Sequence, residues 1–86
     1  MFSIEFSNQA EKFLKRLDKH IVERIIKRIE RLKEEHVPRD EKIIGSENGD
    51  KVFRYRIGDY RALYKLKETE KVILITKIDK RPRVYH

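Results

Sequence analysis

Arginine side chains cluster around one short turn of this 86-residue chain, and arginine is well suited to hold phosphate groups. In the stretch KVFRYRIGDYRALYK, residues 51–65, Arg54 and Arg56 precede a Gly-Asp pair and Arg61 follows it. The guanidinium group stays charged at every ordinary pH, and its planar fork of N–H donors matches phosphate oxygens. We therefore predict a phosphate-binding site at this turn.

The spacing of the arginines predicts that they share one face of a β-hairpin. If Gly58 and Asp59 form a two-residue turn, Arg56 lies directly opposite Arg61. Side chains alternate along a strand, so the hairpin has two different faces. The apolar face carries Phe53, Tyr55, Ile57, Tyr60, Ala62 and Tyr64, and the cationic face carries Arg54, Arg56, Arg61 and Lys65. Because like charges that face one another are destabilising, the Arg56–Arg61 pair favours an anionic ligand over solubility alone.

Simpler interpretations of both faces stay open. The aromatic side chains are more readily explained as core beneath the helices than as a surface on which bases stack. The cations could be a solvated face neutralised by Glu47, Asp59 or Glu70. The basic end KRPRVYH, residues 80–86, would add further cations if the last strand runs beside the hairpin; these are Lys80, Arg81 and Arg83.

The charge of the chain is distributed unevenly. Residues 1–50 contain 11 basic and 11 acidic side chains, whereas residues 51–86 contain 11 basic and 4 acidic ones, so the whole net charge of +7 lies in the second segment. A one-sided positive field attracts polyanions such as nucleic acid. An acidic protein partner or an anionic membrane surface would fit the same field.

Several classes of chemistry lack the residues they need. The chain has no cysteine, and its three glycines form neither a P-loop nor a dinucleotide-binding motif. Its three histidines show no metal-ligand spacing, so we expect no metal and no cofactor. RNA, by contrast, supplies its own nucleophile through the 2′-hydroxyl, and cleaving it requires only cations, a base and an acid. Arg, Lys, Tyr and His would suffice.

The elements that position these residues can be predicted from periodicity. Alternation in residues 2–6 predicts a strand, and Ser7 is a good N-cap for the helix that follows. Helical spacing then continues to about residue 35, but a single helix of residues 8–35 would be about 42 Å long, too long for so small a domain. We therefore predict a break near residues 18–20, with Asp18 as the cap of a second helix.

Three strands follow, at residues 51–57, 60–67 and 71–79, after a turn-rich connector at residues 45–50. The predicted fold is α+β, in the order β-α-α-β-β-β, with a helical hairpin on one face of a mainly antiparallel four-stranded sheet. Residues 1–86 form one domain. The chain has no long apolar segment and no secretory signal, so we expect a soluble, cytoplasmic protein without membrane contact.

With these motifs the chain resembles the RelE/ParE superfamily of toxins from bacterial and archaeal toxin–antitoxin modules, and its RelE branch most of all. The resemblance covers nearly the whole chain. It rests on the element order, the helical hairpin LKRLDKHIVERIIKRIERL, the stretch FRYRIGDYRALYK and the ending KRPRVY. It implies a toxin that enters the ribosomal A site and cleaves messenger RNA without metal, through the 2′-hydroxyl. It also implies a RelB-like antitoxin partner, through which alone operator DNA would be bound.

The resemblance implies roles for individual residues. Arg61 would contact the scissile phosphate and assist the leaving group, Arg81 would stabilise the transition-state phosphate, and Tyr85 would stack on the nucleotide. Further phosphate contacts would come from Arg54, Arg56, Lys65, Lys80 and Arg83. Relatives often carry lysines at positions 54 and 56, one of them a candidate general base. Arg54 or Arg56 would then be the base by position, but arginine is a poor base at neutral pH, so the role could pass to His86, to Tyr85 or to water.

Two other functions remain open at the level of sequence. A toxin of the ParE branch would poison DNA gyrase and have no catalytic activity of its own. A non-toxic domain that binds RNA or protein could use the same basic face.

Overall fold

A computed structural model of the chain describes residues 1–36 and 42–81, without the side chains of Lys42 and Ile43. The elements in these ranges are β1 (Ser3–Phe6), α1 (Asn8–Lys15), α2 (Lys19–Glu30) with a 3-10 turn at Arg31–Lys33, β2 (Lys42–Glu47), β3 (Asp50–Ile57), β4 (Tyr60–Lys67) and β5 (Val72–Lys80). The strands form one sheet in the order β1-β5-β4-β3-β2. The β1–β5 pair is parallel and the other pairs are antiparallel, which confirms the predicted α+β class.

The prediction of four strands was wrong, because part of the supposed connector is an additional strand. β2 pairs with β3 at the edge of the sheet, and Asn48 and Gly49 turn the chain between them with φ of 53° and 86°. Positive φ at both positions is the type I′ turn that Asn-Gly favours, so the hairpin signal was present in the sequence. β2 is short, and its register shifts between Ile43 and Gly45. It therefore lacks the regular alternation by which the other strands were found.

The predicted helical hairpin is confirmed, with its break between Lys15 and Lys19. Ser7 caps α1 as expected, since its hydroxyl accepts a hydrogen bond from the Ala10 amide at 3.2 Å and donates one to the Thr76 carbonyl at 2.8 Å. Asp18 occupies the N-cap position of α2, but its side chain makes no capping hydrogen bond. Within the described part of the chain, neither helix is long and apolar enough to span a membrane.

The β3–β4 hairpin has the register and the two faces that its sequence predicts. Arg56 pairs with Arg61 and Ile57 with Tyr60 across the turn. The apolar face packs into the core beneath the helices, where Phe53 stacks on Tyr64 with ring centroids 5.3 Å apart. The aromatic residues are thus core rather than a surface for bases, and the opposite face of the sheet carries the cations.

Candidate functional site

Four arginines line one surface cavity of about 190 Å³ on the sheet face opposite the helices. Two of them, Arg54 and Arg56, lie on β3, Arg61 lies on the neighbouring β4, and Arg81 directly follows β5. The pairing of β4 with both β3 and β5 therefore brings together cations that are up to 27 positions apart in the chain. We refer to this site as the four-arginine cavity.

Arg54 and Arg56 carry charges that the described part of the chain does not neutralise. Arg54 is half-buried and Arg56 is exposed, and neither forms an ion pair or a side-chain hydrogen bond with another described residue. Arg56 also lies directly opposite Arg61, as predicted. An arrangement of adjacent, uncompensated cations is electrostatically suited to an anion from solution.

Arg61 is held by a carboxylate that the sequence did not single out. Its Nε donates to Oδ1 of Asp79 at 2.9 Å and its Nη2 donates to Oδ2 at 3.2 Å. The hydrogen bond and the charge of Asp79 raise the pKa of Arg61 above its usual value. Asp79 lies opposite Arg61 on β5 and was overlooked because its register with β4 cannot be read from local pattern. The predicted counterions did not include it.

Arg81 is anchored to the turn of the β3–β4 hairpin. Its backbone amide donates to the Asp59 carbonyl at 2.7 Å, and its Nη1 donates to the Gly58 carbonyl at 3.1 Å. The expectation that the last strand carries the basic tail alongside the hairpin is therefore confirmed as far as Arg81. The other predicted tail residues, Arg83, Tyr85 and His86, lie outside the described residues.

The structure does not bring Lys65 or Lys80 into the four-arginine cavity. Lys65 shares the cationic face but is only 8% exposed, and its Nζ lies 2.7 Å from Oε1 of Glu47. It stands four residues from Arg61, or about 13 Å along the strand. Lys80 is exposed and pairs with Tyr60, which places it on the helix side of the sheet. Glu47 thus acts as a counterion, as the solvated-face interpretation proposed, but for Lys65 rather than for an arginine.

Metal-ligating side chains do not cluster in residues 1–36 and 42–81, where no group of three or more could hold an ion. His36 illustrates the structural use of histidine in this chain. Its ring packs on Phe2 with centroids 3.9 Å apart, and its Nδ1 lies 2.9 Å from the Leu32 carbonyl. The described residues that line the four-arginine cavity supply guanidinium groups.

Comparison with known proteins identifies the family. A family model described as ParE toxin of the type II toxin–antitoxin system parDE matches residues 4–85. The chain belongs to this toxin family. No curated protein matches it.

Solved structures of RelE toxins have the same fold as this toxin. The archaeal RelE–RelB complex from Pyrococcus horikoshii is 29% identical, with a TM-score of 0.83 over 96% of this chain and 98% of that one. The RelBE2 toxin–antitoxin complex from Mycobacterium tuberculosis is 25% identical, with a TM-score of 0.77 over 93% and 98%. The isolated Escherichia coli RelE toxin, 18% identical, shares the fold with a TM-score of 0.76 over 98% and 88%. The predicted membership of the RelE/ParE superfamily is confirmed, and the chain is a toxin of a type II system.

Proposed function

We propose that this toxin is a ribosome-dependent endoribonuclease that cleaves messenger RNA in the A site without a metal ion. The observation that carries the proposal is the four-arginine cavity, in which three of the cations, Arg54, Arg56 and Arg81, form no ion pair within the described part of the chain. Membership of a toxin family and similarity to RelE structures support the same activity.

The proposed reaction uses the 2′-hydroxyl of the RNA as the nucleophile. The 2′ oxygen bonds to phosphorus while the bond from phosphorus to the 5′ oxygen breaks, leaving a 2′,3′-cyclic phosphate and a 5′-hydroxyl. A base accepts the 2′ proton and an acid gives a proton to the departing 5′ oxygen. Negative charge develops on the phosphoryl oxygens in the transition state, where fixed cations lower the barrier most.

The arginines divide into proposed roles according to how they are held. Arg61 and Arg81 are anchored by Asp79 and by the turn, so they are the candidates to contact the scissile phosphate. Because Asp79 raises the pKa of Arg61, that side chain retains its proton and acts as a fixed charge rather than as the acid. Arg54 and Arg56 would bind flanking phosphates, with Arg83 as an outer contact, whereas Lys65 and Lys80 lie outside the cavity and are not part of the proposal. Tyr85 would stack on the nucleotide.

We expect His86 rather than Arg56 to be the general base, which predicts a pH-dependent rate. Only a neutral imidazole can accept a proton, so the cleavage rate should fall as the pH is lowered. Arg61 adds no such dependence, because a cation whose pKa is raised stays charged until strong alkali. Single-turnover rates between pH 5.5 and 8.5 measure this. If the His86→Ala variant keeps the same dependence of the cleavage rate on pH, His86 is not the general base.

Mapping cleavage on programmed ribosomes tests the proposed function. Purified toxin should cut the messenger within the A-site codon and leave 2′,3′-cyclic phosphate ends. Arg61→Lys keeps the positive charge but loses the planar set of guanidinium donors, and it should slow cleavage strongly. Arg16→Gln removes an exposed arginine at the end of α1 and is the matched control, expected to cut normally. Ribosome binding without any A-site cut would contradict the proposal.

We also propose that a RelB-type antitoxin covers the cationic face and holds the toxin inactive. The relatives from Pyrococcus horikoshii and Mycobacterium tuberculosis were solved as toxin–antitoxin complexes. An antitoxin segment with acidic side chains would complement the uncompensated arginines, and operator DNA would be bound only through it. Because ribosomes are found in the cytoplasm, we propose that the toxin acts there. Co-expression of the gene beside this one should restore growth and yield a stable complex.

Gyrase inhibition is the second candidate, and the matched family model favours it because its description names ParE. A supercoiling assay with purified gyrase distinguishes the two. Inhibition of gyrase by a toxin that leaves programmed ribosomes uncut would reverse the order of the candidates.

A further inference from the structure

Asp79 occupies a special position relative to the four-arginine cavity. Among the described residues it is the only acidic one whose side chain contacts any of the four arginines. Arg56, Arg61 and Asp79 stand in one row across β3, β4 and β5. The central arginine therefore has a cation on one side and a carboxylate on the other.

This row determines where the Arg61 guanidinium rests. Repulsion from Arg56 and attraction to Asp79 both draw it towards β5, and the pairing through Nε and Nη2 fixes the plane of the group. A guanidinium has five N–H donors, and this mode of pairing occupies two of them. The two donors on Nη1 and the second one on Nη2 stay available along another edge. That edge can bind two oxygens of a phosphate.

We propose that Asp79 is a positioning residue, which holds the guanidinium of Arg61 so that its free edge meets the scissile phosphate. The inference rests on the proposed function, since it assigns a role within that reaction. Asp79 does not touch the RNA and acts only through Arg61. Lys77, whose Nζ lies 3.8 Å from Oδ2 of Asp79, shares the same carboxylate and helps to fix it.

Positioning and net charge have opposite effects, which separates this role from a structural one. Asp79 lowers the net positive charge beside the cavity by one, so it weakens the attraction for RNA. Asp79→Asn should therefore bind the programmed ribosome at least as tightly as the wild type and yet cleave more slowly. A variant that had merely lost its fold would bind less and cleave less.

Single-turnover cleavage on programmed ribosomes measures both the affinity for the ribosome and the rate constant of cleavage. For Asp79→Asn we expect the rate constant to fall about 10- to 100-fold, the scale of loss when a catalytic group is displaced by about 1 Å. The half-saturating toxin concentration should stay equal or fall. Asp79→Glu, which can still reach Arg61, should recover part of the rate. Asp50→Asn removes the same charge beside Lys67, 3.7 Å away and outside the cavity, and should cleave like the wild type.

The possible failures can be told apart. If the wild type cleaves and Asp79→Asn cleaves equally fast, or loses rate and affinity in parallel, the positioning role is overturned and the proposed function stands. If the wild type does not cleave at all, the proposed function fails. Nitrogen-15 NMR of the Arg61 Nε–H group then tests the positioning by itself: slow exchange in the wild type should become fast in Asp79→Asn, and equal exchange would overturn the proposal.

Discussion

Arg54 and Arg56 differ from Arg61 and Arg81 in how the protein holds their side chains. Arg61 and Arg81 are bound to a carboxylate or to turn carbonyls, whereas the other two have no partner among the described residues. An arginine whose side chain the protein binds contributes to the fold, but one without such a partner adds only repulsion from the neighbouring cations. The presence of both kinds in one cavity supports the proposal that Arg54 and Arg56 serve ligand binding rather than stability.

Removing Arg56 should therefore stabilise the protein. Arg56→Gln keeps the length of the side chain and abolishes the like-charge pair with Arg61. We expect the free energy of unfolding to rise by about 0.2–0.5 kcal/mol at low salt, and the gain to shrink as salt screens the repulsion. Urea denaturation at two salt concentrations measures both effects.

Arg61→Gln is the matched comparison for this measurement. It removes the same charge from the facing strand but leaves Asp79 without its bidentate partner, so it should lower stability instead. A loss of stability in Arg56→Gln similar to that in Arg61→Gln would show that Arg56 is also compensated by the fold.

At the scale of elements, the turn between β3 and β4 joins the hairpin to the chain after β5. Its two carbonyls, from Gly58 and Asp59, hold Arg81. Gly58 has φ of 57°, in the left-handed region that a residue with a Cβ enters only at a cost. The conformation of this one glycine therefore bears on the placement of a candidate catalytic arginine.

Gly58→Ala should destabilise the protein by about 1–2 kcal/mol, the cost of the left-handed conformation. The added Cβ would lie 3.7 Å from Nη2 of Arg24, an ordinary van der Waals contact, so the cost arises from the backbone. Because the turn carbonyls would shift, RNA cleavage should also fall. Chemical denaturation and the ribosome assay measure the two effects.

Gly45 provides the control for this substitution. It lies in edge strand β2, has no positive φ, and has open space where a Cβ would be. Gly45→Ala should change the free energy of unfolding by no more than about 0.5 kcal/mol and leave cleavage intact. Equal losses in the two variants would argue against a special role of the turn.

At the scale of the whole molecule, the excess charge of +7 lies in residues 51–86, the segment that contains most of β3, all of β4 and β5, and the chain after β5, and it produces a positive field. Such a field governs association with a polyanion, and its strength depends on ionic strength. Binding to RNA should therefore weaken steeply as salt rises.

The slope of the salt dependence of RNA binding reports how many phosphates Arg54 and Arg56 contact. For single-stranded nucleic acid, each phosphate contact contributes a slope of about −0.7 to log K against log salt. The double variant Arg54→Gln/Arg56→Gln should therefore have a slope shallower by about 1.4, measured by fluorescence anisotropy with a labelled RNA. Lys15→Gln/Arg16→Gln changes the net charge equally at the end of α1 and should leave the slope nearly unchanged. Equal slopes in both double variants would contradict direct phosphate contact.

The sequence by itself determined the features that arise from short-range physics. The two faces of the hairpin, the register of Arg56 with Arg61, the Ser7 cap and the presence of two helices were all correctly predicted, although the break lies between Lys15 and Lys19 rather than at residues 18–20. Each depends on side-chain alternation, helical periodicity or turn geometry within a few residues, and these preferences act before distant parts of the chain meet. The resemblance to the toxin superfamily rested on the same local motifs.

Only the tertiary structure decided which strands became neighbours. The pairing of β5 with β4 placed Asp79 beside Arg61 and directed Lys80 to the helix side, and the edge pairing of β2 placed Glu47 near Lys65. None of these contacts has a local signature, because register between strands distant in sequence is set by how the whole sheet covers its core. The arginines of the site were therefore readable from the sequence, whereas the carboxylate that orients one of them was not.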